Sequence, residues 1–108
     1  MTDELYLCEV FEDSIIPLLA SDHQYNEKNF YSAAKVVQAG KMYDNENWQH
    51  PVGSNLVGWL KSYSNSPIVY IQGGDDPTAY DSGHYQRLLK NAINWAASQA
   101  ALDWAGAQ

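Results

Sequence analysis

The chain has 108 residues and a formal net charge of −7, set by 13 acidic and 6 basic side chains. Its length bounds it to one domain, and an acidic balance with scattered Lys and Arg argues against a nucleic-acid or anionic-membrane partner. The single cysteine, Cys8, excludes an internal disulfide framework, no apolar run reaches transmembrane length, and the acidic start lacks a secretory pattern, so a cytoplasmic protein is expected.

Residues 5–11 and 14–20 read as two short strands joined by the acidic Glu12-Asp13 turn, with Pro17 marking an edge or bulge in the second. Cys8 falls within this strand pattern and away from any nucleophile elbow, which places it in the core. Residues 21–30 are polar and turn-rich, whereas residues 31–38 suit either a strand or one or two helical turns, and their period does not decide. Residues 41–55 form a long polar loop with Pro51 and Gly53; its Tyr43 and Trp48 argue against disorder, and ordered loops of this length are usually functional.

Residues 56–63 alternate as a strand, and Ser64, Asn65 and Ser66 turn the chain into the nearly continuous apolar run of residues 67–72. Such a run suits a strand covered on both faces, as in a parallel sheet. The hairpin connection implies an antiparallel pair, so the expectation is an α/β fold with a mixed sheet. Next comes an amphipathic helix: Tyr85, Leu88, Leu89, Ala92, Ile93 and Ala96 recur at spacings of three and four and should form its buried face. Asp81 or Ser82 can cap it, and residues 99–108 either extend it or fray.

Two loops offer chemistry. Gly73, Gly74, Asp75 and Asp76 follow the carboxyl end of a strand, where open α/β sheets bind ligands. Their paired carboxylates disfavour a phosphate and favour the hydroxyls of a sugar or polyol, or a divalent cation. Alternatively the glycines only make a turn and Asp76-Pro77 begins a helical one. In residues 45–55, Trp48 can lie against a sugar face while Asn47, Gln49, Ser54 and Asn55 supply donors and acceptors. His50 is a candidate catalytic acid or base, with Glu46 or Asp75 to orient it; alternatively Trp48 anchors the loop and His50-Pro51 is a plain turn. Asp3, Glu4 and Tyr6 are further candidate ligand-binding residues, and His84 beside Asp75 falls short of a complete metal set.

Asp3-Glu4-Leu5-Tyr6, the loop from His50-Pro51 to Ser54-Asn55, and the helix pattern of residues 87–97 together resemble the C-terminal half of the ThuA-like (trehalose utilisation) domain, and the likeness runs along nearly the whole chain. The resemblance implies a flavodoxin-like fold of the class I glutamine amidotransferase type and a part in using trehalose or keto-disaccharides. It also implies one domain over residues 1–108 that lacks the family's N-terminal half, hence an exposed sheet edge and self-association. Asp75 stands where many members carry a His, and no elbow matches the superfamily's Cys, His and Glu triad. The functional expectation is a carbohydrate site built by loops 45–55 and 73–76. Its alternatives are a non-catalytic carbohydrate-binding or protein-interaction module, and an inactive fragment that needs its missing half.

Overall fold

Strands β2 (Leu56–Tyr63) and β3 (Ser66–Ile71) form the hairpin that the alternation predicts, paired from Gly58 opposite Ile71 to Tyr63 opposite Ser66. The structure is a computed structural model that describes residues 3–108; Met1 and Thr2, which the single-domain expectation includes, lie outside the described residues. Ser64 and Asn65 both take left-handed backbone, with φ of 47° and 63°, as a tight two-residue hairpin turn requires. The N–H of Gln72 donates to Val57 O at 2.8 Å. That fixes the ladder's parity and turns the backbone of Pro67, Val69 and Ile71 away from β2. Pro67 therefore costs no ladder hydrogen bond, which is why an edge strand tolerates it.

Strand β1 (Ile16–Ala20) pairs antiparallel with the other side of β2, giving the order β1-β2-β3. Its register shifts on both sides of Leu19, so Pro17 lies in an edge strand beside an irregularity, as its ring dictates. The described sheet is thus wholly antiparallel, which corrects the expected mixed sheet. Residues 5–11 form no strand either: among the described residues no regular structure precedes the 3-10 turn Glu12–Ser14. Cys8, expected in the core, is exposed, because the strand that would have buried it does not form.

Among the described residues three α-helices complete the fold. Residues 31–38 resolve as helix α1 (Ala33–Ala39), ended by Gly40 at φ +64°, whose N–H returns to Val36 O at 3.0 Å. Helix α2 (Gly83–Ala96) is capped by Ser82, whose side chain accepts from Tyr85 N. Residues 99–108 neither extend α2 nor fray. Ser98 caps a separate helix α3 (Gln99–Gly106), accepting from Ala101 N at 3.1 Å, and Trp95 meets Trp104 across the joint with centroids 5.5 Å apart.

Helices α2 and α3 cover one face of the sheet, where the register gathers Leu60, Val69 and Ile71. Ala79, Tyr85, Ala101 and Ala105 are the buried apolar residues on this side. Ile93, assigned to the buried stripe by its spacing, is 67% exposed because the face of α2 turned to the sheet runs through Leu88, Asn91, Ala92 and Trp95, and Ile93 lies off it. On the opposite face Pro17, Trp59 and Tyr70 stand in one row, the two rings stacked 4.0 Å apart. No described helix packs there, so the apolar run of β3 is covered on one face and not two. The radius of gyration, 16.6 Å, exceeds the roughly 13 Å of a compact chain this long. Accessible area agrees: 7739 Å² against roughly 6,000 Å² for a compact monomer of this mass.

Candidate functional site

The Gly-Gly-Asp-Asp loop is held from three directions. Tyr85, on the first turn of α2, is 4% exposed and donates its hydroxyl to Gly73 O at 2.6 Å, while Tyr80 donates to Gly74 O at 3.1 Å. Burial pushes the Tyr85 phenol's pKa up, which keeps it the neutral donor this contact needs. The third tie comes from the far end of the chain: the Gly74 N–H donates to the Asp3 carboxylate. That bond, then the Glu4 N–H, holds the Asp3 carboxyl below its usual range, and the Asp76 and Asp75 N–H groups add to it. Successive N–H groups turned toward one anion make a backbone nest. The loop therefore does cradle an anion, one supplied by the chain itself.

Gly74 makes this geometry attainable. Its φ of +118° is open to glycine and strained for other residues, and a Cβ there would stand 2.6 Å from the Tyr85 hydroxyl and 2.8 Å from that of Tyr80. Asp76 turns away from the nest to cap the 3-10 turn Pro77–Asp81, accepting from Thr78 N at 2.7 Å. The Thr78 side chain first, and its N–H second, hold Asp76 below the usual carboxylate range. Asp75 stays exposed.

Asp3 brings Glu4 and Tyr6 with it. The Tyr6 hydroxyl donates to Glu4 Oε2 at 2.9 Å, and this bond foremost, with burial and the nearby carboxylates, pushes the phenol up to about 12. Beside this cluster lies a cavity of about 250 Å³ beyond the carboxyl end of β3, lined by Asp3, Glu4, Ser21, Gln72 and Gly73 with apolar walls from Leu19, Ile71 and Leu88. Gln72 was not singled out by the sequence, yet it lines this cavity, and its buried Oε1 accepts no hydrogen bond from any described residue. A polar residue closing an apolar strand, just before a glycine loop, was the available signal.

The 45–55 loop is organised separately. His50 N donates to Glu27 Oε2 at 3.1 Å, and Asn45 Nδ2 donates to Glu27 O at 2.9 Å, so Glu27 anchors the loop's backbone, while among the described residues neither Glu46 nor Asp75 hydrogen-bonds to the His50 ring. His50 Nδ1 lies 2.7 Å from Pro51 O, and the half-buried Trp48 ring is tilted 44° to the imidazole at 5.8 Å. Asn47 takes a left-handed φ of 56°, Ser54 Oγ accepts from Leu56 N at 3.2 Å, and Asn55 Nδ2 donates to Ser21 O at 2.9 Å. His50 and Ser54 line a cavity of about 470 Å³ with Cys8, Glu9 and Glu12. That cavity shares no lining residue with the one beyond β3.

Among the described residues no three metal-ligating side chains converge. His23 packs edge-on against Phe30 and Tyr25, at 5.5 and 6.2 Å, in a small aromatic cluster. No described helix is long and apolar enough to cross a membrane. No protein-family model, curated protein or solved structure matches the chain.

Proposed function

We propose that the chain binds a sugar or related polyol, without turnover, in the cavity beyond β3, in keeping with the sequence's resemblance to a ThuA-like domain. The observation that carries this reading is the buried, unpaired Oε1 of Gln72, a residue that lines the cavity together with Glu4. Buried acceptors need donors, and a hydroxyl-rich ligand supplies several at short spacing. Asp3 then acts as a positioning residue: its two oxygens accept from Gly74 N and Glu4 N, which sets the cavity wall. Binding is favoured over catalysis because His50 lies at a different cavity, its Nδ1 beside its own neighbour's carbonyl.

Titration calorimetry and amide chemical shifts with trehalose, maltose and glucose test the reading. Trehalose should shift Gln72, Gly73 and Glu4, and Gln72→Leu should weaken it at least tenfold with the circular dichroism unchanged, whereas His50→Ala should leave it alone. Shifts confined to the 45–55 loop, or no binding of any of the three sugars, would overturn the proposal.

A further inference from the structure

A second cavity, of about 320 Å³, lies between the covered face of the sheet and α2. Its walls are Leu18, Leu60, Val69, Ala92 and Trp95, and Asn91 is its one polar lining residue. Leu19, Ile71 and Leu88 line both this cavity and the polar one beyond β3. The two are therefore adjoining chambers: a polar mouth with Glu4 and Gln72, and an apolar chamber running back beneath α2.

We infer that the ligand is amphipathic, a sugar carrying an alkyl or aryl tail, with its hydroxyls at the mouth and its tail beneath α2. This rests on the reading of the mouth as a polyol site. Three features of the chambers carry the extension. The apolar chamber is more than twice the roughly 150 Å³ of an engineered cavity that stays dry and binds benzene. It adjoins the mouth at the three shared side chains, Leu19, Ile71 and Leu88, so a head at the mouth and a tail beneath α2 are separated by those side chains alone. The mouth carries Asp3 and Glu4 and no Lys or Arg, which selects a neutral hydroxylated head over the carboxylate of a fatty acid.

Calorimetry on the full chain with glucose, n-octyl β-glucoside below its micelle-forming concentration, 1-octanol and octanoate separates the parts. The octyl glucoside should bind at least a hundredfold more tightly than glucose, and octanoate at least tenfold more weakly than the octyl glucoside. Affinity should fall about fourfold with each methylene removed toward the hexyl and butyl glucosides. Ala92→Phe, which fills the chamber from α2, should remove that dependence and leave glucose binding intact. The chain-length series on the unaltered protein decides the matter should this variant misfold. Equal affinity for glucose and its octyl derivative would overturn the tail while leaving the mouth as proposed. Octanol binding as tightly as the octyl glucoside would overturn the mouth while leaving the apolar chamber.

Discussion

The two polar loops differ less in composition than in what fixes them. Loop 73–76 is tied by Asp3, 71 positions away in sequence, and by two phenols that follow it. Loop 45–55 is tied to residues 21–27, by Asn55 to Ser21, Gly53 to Tyr25 and His50 to Glu27. The first arrangement couples the chain's N-terminal residues to the sheet and α2 at one point; the second ties loop to loop. The cavity beside the first has walls from five separate stretches of sequence, residues 3–5, 19–21, 57, 71–73 and 88.

The largest expected effect falls on that convergence. Gly74→Ala forces a Cβ into φ +118° and against both phenol hydroxyls, so it loses backbone comfort and two hydrogen bonds together. A destabilisation of about 3 kcal/mol is expected from the strain and the lost bonds, read as a lower urea midpoint at unchanged slope. A variant as stable as the parent would break the contrast, because the nest would then not depend on glycine.

Glu27→Ala is the matching change in the other loop. It frees His50 N and leaves Asn45 bonded to the residue 27 carbonyl, so a loss of about 1 kcal/mol is expected. Amide shifts should move within residues 45–55 and remain fixed at Gly73 and Gly74. Movement at both loops would show that they form one cooperative unit.

The same contrast explains what could be read from sequence. The hairpin was legible because alternation and a turn of Ser64 and Asn65 are local signals, and α2 because its spacing and the Ser82 cap are. Residues 5–11 misled because their pattern states what a strand could bury and not whether the chain brings them alongside a sheet edge, and here they form no pairing with β1, β2 or β3. The apolar run of β3 states that its side chains avoid charge, not which of its faces a helix covers. Candidate ligand residues Asp3, Glu4 and Tyr6 were picked out by type, yet the nest that gathers them depends on a bond spanning the chain, which no local pattern encodes.

The smallest expected effect, and the most specific, is an acid release of the N-terminal tie. The Asp3 carboxyl sits below its usual range when folded, chiefly through the Gly74 N–H. A depressed folded value means that the carboxylate form favours the folded state. Its contribution is full above the ordinary carboxyl value near about pH 4 and is lost as pH falls through the lowered folded value. The Gly74 amide shift should therefore stay constant from neutrality to about pH 4 and then move with the Asp3 side-chain carbonyl. Asp3→Asn, which removes the charge but retains an acceptor, should abolish the acid step at Gly74 and leave loop 45–55 unchanged. A Gly74 amide indifferent to Asp3 titration would mean that the phenols of Tyr80 and Tyr85 alone hold the loop, and the distinction between a nest spanning the chain and a loop pinned by its neighbours would collapse.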